Sequence, residues 1–279
     1  MALWYDEIFE DTVRFGLRVK ETLYSGRSEY RQIEVLDTVQ LGRTLALDNI
    51  FMTSEGDEHY YHEMLVHPAM NTAPRRKRAL VLGGGDGGTV REILRHPDVE
   101  RVVMVEIDEQ VVEVCKEHLP SIGTAWDDPR LELRFEDALE YVEEADIEPF
   151  DVVFLDGTDP VGPGVVLYET GFYEGCKRVL ADDGIFALQS ESPFLFEETF
   201  LEVQSKLRKI FRTVRPYFGP VPIYASGTWS WTWASDACDP LAIDEARAAE
   251  LEPSLQYYNT RIHRGAFALP SRLERALER

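Results

Sequence analysis

The sequence predicts an α/β protein in which a small antiparallel β-sheet precedes a larger, mostly parallel sheet with helices on both faces. Three observations support this fold class: short β-rich stretches before residue 72, an alternation of strand and helix patterns after it, and a glycine-rich loop where that alternation begins. The chain has 279 residues, 44% of them hydrophobic, which excludes a disordered or collagen-like protein. We expect an N-terminal β domain over residues 1–71 and an α/β domain over residues 72–279.

The first domain is expected to contain strands wherever β-branched, aromatic and apolar residues are mixed. These stretches are Leu17–Tyr24, Tyr30–Leu36 and Gly42–Met52. Turn-forming pairs such as Ser25-Gly26 and Asp48-Asn49 separate the strands. A helix is predicted over Asp57–Leu65, and the segment Asn71–Arg78, which contains Pro74, is predicted to be a linker.

The second domain alternates strand and helix patterns, which predicts a largely parallel sheet. The predicted strands are Ala79–Leu82, Arg101–Val105, Leu131–Phe135, Phe150–Leu155 and Gly184–Leu188. The predicted helices are Thr89–Arg95, Glu109–Glu117, a short helix that ends at Val142, and Gly171–Leu180. Trp229–Trp233 alternates with period two and indicates a late antiparallel strand. Ligands of such sheets bind at the carboxyl ends of the strands.

A glycine-rich loop, Gly83–Gly88, follows the first strand of this domain and opens a helix, so the motif GxGxxG lies in the context of a nucleotide site. The alternative is that these glycines only form a tight turn. Glu106 ends the second strand, where a carboxylate can accept hydrogen bonds from both ribose hydroxyls. Asp86 within the loop would repel a pyrophosphate, so a nucleoside that carries a cation, such as an adenosyl sulfonium, is favoured over a dinucleotide.

Acidic residues recur at the ends of four consecutive strands. Asp137 follows the third strand, and Asp156 with Asp159 follows the fourth, so these residues should join Asp86 and Glu106 in one acidic cleft. Each acid by itself could instead be a helix cap or a turn residue. The Asp156 and Asp159 pair is suited to binding an ammonium group. An amine with a pKa of about 10.4 is mostly protonated at pH 7 and needs a general base before it can act as a nucleophile.

The charge of the chain also favours a cationic small molecule as its partner. Acidic residues outnumber basic residues 51 to 29, giving a net charge of -22, which opposes binding to nucleic acids or anionic membranes. The alternative is that the acids only solvate the surface. Three cysteines without CxxC spacing, an N-terminus unlike a signal peptide and no long apolar run predict a cytoplasmic protein.

No metal site is expected. The segment His59-Tyr60-Tyr61-His62-Glu63 places two imidazoles three residues apart, but its order, HxxHE, differs from the zinc motifs HExxH and HxxEH, and no third ligand is evident.

The sequence resembles the polyamine aminopropyltransferases, the family of spermidine synthase, along nearly its whole length. The matching segments are Tyr61–Met64, Gly83–Gly88, Val105–Asp108, Asp156–Pro163, Phe172–Cys176, Tyr257–Asn259 and Ala266–Pro270. The resemblance implies a small N-terminal β domain on a methyltransferase-like Rossmann domain, assembled as a homodimer or homotetramer. It also implies transfer of an aminopropyl group from decarboxylated S-adenosylmethionine, a co-substrate, to putrescine, which yields spermidine and methylthioadenosine without a prosthetic group.

The resemblance assigns roles to individual residues. On the nucleoside side these are His62 and Asp86 at the aminopropyl end, Gly83 and Gly85 in the loop, Glu106 at the ribose, Asp137 and the Ala138 backbone at the adenine, and Pro163 at the border. Asp156 is the implied proton acceptor. The amine acceptor is implied to contact Tyr61, Asp156, Asp159, Gln189, Tyr224 and, as a weaker candidate, Trp4.

Some positions depart from the family pattern, and other functions remain open. Arg31 and Met52 stand where the family often has Gln, Ala138 where it often has Gly, and Gly157 where it often has Ser or Cys. Agmatine, cadaverine or spermidine could therefore be the acceptor. An S-adenosylmethionine-dependent methyltransferase is disfavoured because Asp86 would meet the carboxylate of that molecule. Retention of Asp156 and Asp159 disfavours a non-catalytic polyamine-binding protein.

Overall fold

A computed structural model describes residues 3–9, 11–144, 146–158 and 162–278, with Gly162 and Pro163 described by their backbone alone. Within this part of the chain the strands form two sheets, one of five strands and one of seven. This arrangement confirms the predicted fold class. The boundary between the two domains at residue 71 stays a prediction.

The first sheet is antiparallel, and its strands pair in chain order. They are β1 (Leu3–Phe9), β2 (Val13–Arg27), β3 (Gln32–Thr38), β4 (Gly42–Leu47) and β5 (Ile50–Ser54). Ser25-Gly26 is not a turn but part of β2, which continues to Arg27. Asp48 and Asn49 have φ values of 50° and 68° and connect β4 to β5, so Gly42–Met52 is a hairpin rather than one strand.

Helix α1 (Glu58–Met70) is longer than predicted and contains Pro68 in its interior. Proline has no N–H to donate to the carbonyl four residues earlier, which is that of Met64. The Tyr217 hydroxyl donates to this Met64 oxygen at 2.8 Å, so the carbonyl keeps a partner. The helix is buried along almost its whole length and can therefore present side chains to both the core and the site.

The second sheet has the strand order β11-β12-β10-β9-β6-β7-β8. Its strands are β6 (Arg78–Gly83), β7 (Arg101–Glu106), β8 (Leu131–Phe135), β9 (Phe150–Asp156), β10 (Leu180–Gln189), β11 (Thr213–Pro220) and β12 (Thr228–Ser235). Strands β6 to β10 are mutually parallel, whereas β12 runs antiparallel to β10 and β11. The expected late antiparallel strand at Trp229–Trp233 is therefore confirmed.

Helices cover both faces of this sheet. After α1 the described helices are α2 (Gly88–Leu94), α3 (Glu109–His118), α4 (Ala138–Glu143), α5 (Thr170–Arg178), α6 (Glu197–Leu207), α7 (Glu245–Leu251), α8 (Thr260–Ala266) and α9 (Ser271–Leu277). Two 3₁₀ segments lie at Gly162–Tyr168 and Glu252–Ser254. None of the helices in the described part of the chain is long and apolar enough to cross a membrane.

Alternate residues of the central strands pack into two separate apolar clusters. On β9, Phe154 packs with Met64 of α1 on one face, while Val153 and Leu155 pack with Phe172 of α5 on the other. Strands buried on both faces are typical of parallel sheets. This packing holds the carboxyl ends of β6, β7 and β9 at one edge of the sheet.

Candidate active site

A cavity of about 280 Å³ opens at this edge of the second sheet. It contains most of the predicted site residues, which are Tyr61, His62, Gly83, Gly85, Asp86, Glu106, Asp137, Ala138, Asp156 and Tyr224. Arg31, Met52 and Gly157, the positions that depart from the family pattern, also line it. The parallel topology thus brings together acids that are up to 70 residues apart, as Asp86 and Asp156 are.

Asp156 ends β9, and hydroxyl groups hold both oxygens of its carboxylate. The Tyr61 hydroxyl donates to Oδ1 at 2.8 Å, and the Thr89 hydroxyl donates to Oδ2 at 2.7 Å. Burial and the neighbouring charge of Asp86 raise the pKa of Asp156, although His62 and the two hydroxyls act in the opposite direction. A carboxylate with a raised pKa and a fixed orientation is suited to accepting a proton.

The glycine loop places Asp86 close to Asp156 because its backbone passes directly beside β9. Gly83 has a φ of 86°, and a Cβ there would lie 2.3 Å from the Asp156 carbonyl oxygen. The next amide, of Gly84, donates to that same oxygen at 2.9 Å. Only glycine satisfies both constraints at position 83.

Asp86 and His62 form a contact at the start of α2. Asp86 Oδ1 accepts from the Gly88 amide at 2.8 Å, and its Oδ2 lies 3.3 Å from His62 Nε2. A Cβ on Gly88 would lie 2.3 Å from the His62 ring, so glycine at this position lets the ring approach. Burial alone would raise the pKa of Asp86, but the His62 charge and its hydrogen bonds keep that pKa below its usual range.

A further part of the cavity lining combines acids with apolar side chains. Glu106 ends β7 and accepts the Asp108 amide at 3.0 Å on Oε1, while burial raises the pKa of its carboxyl. Asp137 caps α4 by accepting the Leu139 amide at 2.7 Å and also lines the cavity. Val105 and Val111 form part of the wall between them. This part of the cavity can therefore hold a molecule with an apolar ring and hydroxyl or amino donors on its edges.

A second, smaller cavity of about 30 Å³ adjoins the first. Tyr61, Met52, Gly157, Thr158 and Tyr224 line both cavities. Gln189 lies in the second cavity rather than the first, with its Oε1 accepting the Trp229 indole N–H at 3.2 Å. Glu7 of β1, only 3% exposed, is the acid among the described residues of this second cavity. Sequence analysis missed Glu7 because it predicted no strand there.

Trp4 does not contribute to either cavity and is 55% exposed. Side chains of a strand alternate between faces, so Trp4 lies opposite Glu7 and Phe9, which do line the second cavity. The implied contact of Trp4 with the acceptor amine stays a prediction. Asp159 lies outside the described residues, and Pro163 is described only by its backbone, so their predicted roles stay predictions.

The side chains of the HxxHE segment, residues 59–63, have different contacts. The His59 ring packs against Tyr60 with ring centroids 4.5 Å apart, and only His62 of the two histidines lines the cavity. Glu63 instead accepts the backbone amides of residues 256, 257 and 258 at 2.8, 2.8 and 2.7 Å. Among the described residues there is no cluster of three or more His, Cys, Asp or Glu side chains that could hold a metal ion.

Two family models match this chain. Residues 58–244 match the spermine/spermidine synthase domain, and residues 3–55 match the spermidine synthase tetramerisation domain. The chain is 43% identical over 270 residues to the polyamine aminopropyltransferase of Thermoanaerobacter sp. (strain X514), covering 97% of this chain and 96% of that one. It is 42% identical over 280 residues to the polyamine aminopropyltransferase of Clostridium perfringens (strain ATCC 13124), covering 100% and 99%.

Solved structures are similar over the same length. A spermidine synthase in complex with the transition state analogue AdoDATO superposes with a TM-score of 0.96 at 38% identity, covering 99% of this chain and 95% of that one. The spermidine synthase of Thermotoga maritima superposes with a TM-score of 0.94 at 37% identity, covering 99% and 94%.

Proposed function

The chain belongs to the spermine/spermidine synthase family of polyamine aminopropyltransferases, and from this premise we propose that putrescine is its acceptor and that Asp156 takes up the proton of the attacking amine. The enzyme transfers an aminopropyl group from decarboxylated S-adenosylmethionine to an amine. The observation that carries the proposal is the position of Asp156 beside the junction of the two cavities, bonded to Tyr61, which lines both.

The nucleoside is proposed to bind in the larger cavity. Glu106 would accept the ribose hydroxyls, and Asp137 with the Ala138 backbone would contact the adenine edge between the apolar walls. Asp86 would hold the terminal ammonium of the aminopropyl group, since its carboxylate lines that cavity and is kept ionised beside His62. A series of acids along one cleft complements a molecule that carries a sulfonium and an ammonium.

The chemical step is a single displacement. The neutral amine nitrogen attacks the carbon next to sulfur, a C–N bond forms, and the C–S bond breaks with its electron pair passing to sulfur. The acceptor nitrogen is neutral at this point because Asp156 has already taken one proton from its ammonium form. Sulfur loses its positive charge, and the positive charge passes to the secondary ammonium of the product, which keeps its remaining protons. The Tyr61 and Thr89 hydroxyls fix the orientation of that carboxylate, and its raised pKa supports a role as proton acceptor.

A short diamine fits the smaller cavity. About 30 Å³ corresponds to roughly two water-sized sites, which is enough for one ammonium end of a diamine. Glu7 can hold that distal ammonium while the other nitrogen lies near Asp156. Spermidine has a further cation, and a buried cation without its own acidic partner is costly. Putrescine is therefore favoured as the acceptor. Asp159 is proposed to contact the same amine, which is the role that the family resemblance implies for it.

The assembly is proposed to be a homotetramer. The match of residues 3–55 to a tetramerisation domain supports an oligomer. Strand β1 exposes three large apolar side chains. Trp4 and Ile8 lie on its outer face, and Leu3 is its first residue. Apolar side chains clustered on an edge strand are suited to burial between subunits. We further propose a cytoplasmic location, which the three unpaired thiols Cys115, Cys176 and Cys238 support.

Product analysis tests the proposed reaction. The purified enzyme is incubated with decarboxylated S-adenosylmethionine or with S-adenosylmethionine, each with putrescine, cadaverine, agmatine or spermidine, and products are identified by mass spectrometry. We expect methylthioadenosine and spermidine from the decarboxylated compound and putrescine, with the highest kcat/KM for that pair. Methyl transfer from S-adenosylmethionine, or a higher kcat/KM with spermidine, would contradict the proposal.

A further inference from the structure

A row of buried charged side chains continues from the cavity into the core between α1 and α2. His62 Nδ1 lies 2.7 Å from Glu58 Oε2, and Arg91 Nη2 lies 2.7 Å from that same oxygen. Arg91 Nε lies in turn 2.7 Å from Glu92 Oε1. All four side chains are buried. Glu58, Arg91 and Glu92 do not line either cavity, so the binding of substrate does not by itself explain them.

The ring of His62 lies between two carboxylates. Its Nδ1 faces Glu58 Oε2 at 2.7 Å, and its Nε2 faces Asp86 Oδ2 at 3.3 Å. A neutral imidazole carries one N–H and one lone pair, and that lone pair would point at a carboxylate oxygen in either tautomer. Only the doubly protonated ring donates in both directions.

We propose that Glu58, held by Arg91, is a positioning residue that keeps His62 doubly protonated, and that the resulting cation keeps Asp86 and Asp156 ionised beside each other. This inference rests on the proposed role of Asp156 as the proton acceptor. Glu58 touches neither cavity and acts entirely through the His62 ring.

The electrostatic need for such a cation follows from the two carboxylates at the site. Neighbouring carboxylates in a buried cleft raise each other's pKa, so one of them tends to hold a proton. Burial and Asp86 raise the pKa of Asp156, and the His62 charge lowers it. Burial alone would lower the pKa of His62, but Asp86 and Glu58 hold that pKa well above its usual range. His62 thus offsets the repulsion between Asp86 and Asp156.

The charged and titratable groups around this ring come from four elements. Glu58 and Tyr61 belong to α1, Asp86 to the glycine loop, Arg91 to α2 and Asp156 to β9. Burial alone would raise the pKa of Glu58, but His62 and Arg91 lower it below its usual range. Glu58 therefore remains a carboxylate opposite the imidazolium.

Glu58→Gln removes one charge with little change in shape. Arg91 keeps Glu92 at 2.7 Å and the Ile122 carbonyl at 2.9 Å, so its guanidinium remains partnered. Glu92→Gln is the control, because Glu92 is also buried and binds the same arginine, while the histidine that it contacts is His67 rather than His62. Melting temperatures of both variants establish that they are folded.

Nuclear magnetic resonance of ¹⁵N-histidine-labelled enzyme measures the protonation of the ring without reference to activity. His62 is assigned among the six histidines by its loss in His62→Gln. Both its nitrogens should be protonated at neutral pH in the parent enzyme and in Glu92→Gln. In Glu58→Gln the His62 pKa should fall by about one to three pH units, the usual effect of losing a close opposite charge. A neutral His62 at pH 7 in the parent enzyme, or an equal shift in both variants, would overturn the proposal.

The pH profile of the reaction gives the second readout. Loss of the His62 cation should raise the pKa of Asp156, so the acidic limb of kcat/KM should move to higher pH by on the order of one unit in Glu58→Gln. Binding of methylthioadenosine, which lacks the aminopropyl group, should change less than twofold. In the double variant that combines His62→Gln with Glu58→Gln, the acidic limb should lie at the same pH as in His62→Gln alone. A limb that stays in place in Glu58→Gln would refute the inference. If the parent enzyme showed no transfer at all, the proposed function would be refuted instead. The protonation of His62 would still be measured by nuclear magnetic resonance, so the two failures can be told apart.

Discussion

Replacement of Glu7 by Gln should selectively impair diamines as acceptors. Glu7 is 3% exposed and lines the smaller cavity, and its Oε2 accepts the Phe51 amide at 3.4 Å. That cavity measures about 30 Å³ and joins the larger one at Tyr61 and Tyr224. A diamine whose reacting nitrogen lies at Asp156 would place its other ammonium against Glu7. The amide of Gln keeps the volume of the side chain but removes its charge.

The size of the effect follows from the burial of this contact. Removing one partner of a buried, hydrogen-bonded charge pair costs about 2–5 kcal/mol. Gln can still accept one hydrogen bond through its oxygen, so the lower end of that range applies. A loss of about 2 kcal/mol corresponds to roughly a 30-fold lower kcat/KM for putrescine. A monoamine such as 1-aminobutane has no distal cation, so its already low kcat/KM should change less than threefold.

Initial rates with both amines, measured for the parent enzyme, Glu7→Gln and Asp6→Asn, test this prediction. Asp6 is the matched control because it neighbours Glu7 on β1 but points to the other face, where it pairs with Arg14. We expect the ratio of kcat/KM for putrescine to that for 1-aminobutane to fall only in Glu7→Gln. An unchanged ratio, or equal losses for both amines, would refute the assignment of Glu7 to the distal ammonium.

Three further predictions concern the nucleoside end and the core. Glu106→Gln should weaken methylthioadenosine binding at least tenfold by calorimetry with little change in kcat at saturation, because a charged acceptor of ribose hydrogen bonds is worth about 1.5–3 kcal/mol; unchanged affinity would contradict this. Glu63→Gln should lower the free energy of unfolding in urea by about 1–3 kcal/mol, since its amide cannot accept all three backbone N–H groups of residues 256–258. Burial lowers the pKa of His263 to about 4, below its value of about 6.5 in the unfolded chain. As pH falls, the unfolded chain therefore binds a proton at this histidine before the folded protein does. The stability that neutral His263 contributes is complete above about pH 6.5 and is lost as pH falls toward 4. This loss of about 3 kcal/mol should be smaller in His263→Asn, and equal acid sensitivity of the two proteins would argue against it.

The central part of the fold was predictable because its local signals agree with one another. Strand β6 ends in a glycine loop, α2 follows at once, and Phe150–Leu155 is apolar except at Asp151, as expected of a strand buried on both faces. In a parallel sheet the carboxyl ends of the strands lie at one edge, so acids at successive strand ends must lie close together. Asp86, Glu106 and Asp156 could therefore be placed in one cleft before their distances were known.

Strand β1 and its acid could not be found in the same way. In Leu3–Phe9 the large apolar residues Trp4 and Ile8 are exposed, whereas the buried face carries Glu7. Glu7 shares its face with Tyr5 and Phe9, whose rings pack on Phe51 and Phe196, so it is an isolated acid among aromatic side chains beside the second cavity. The family resemblance named Trp4 as a weaker candidate, and no signal in the sequence pointed to Glu7.

Residues that act only through another residue also could not be identified from the sequence. Glu58 lies four residues before His62, a spacing that occurs often on helices, and Arg91 reaches Glu58 only because α1 packs against α2. Sequence analysis made no secondary-structure prediction for helices α6 to α9 and strand β11. Their positions depend on long-range packing, such as that of Tyr217 on α1.

The central claim, that Asp156 accepts the proton of the attacking amine, is tested most directly by Asp156→Asn. Single-turnover transfer from decarboxylated S-adenosylmethionine to putrescine should be about 10²–10⁴-fold slower, the usual effect of losing a general base, because the amide keeps the shape but cannot take up the proton. Methylthioadenosine should bind the variant with nearly the parent affinity, since its proposed contacts are with Glu106 and Asp137. A transfer rate close to that of the parent enzyme at neutral pH would contradict the account and leave Asp156 as a residue that only positions the amine.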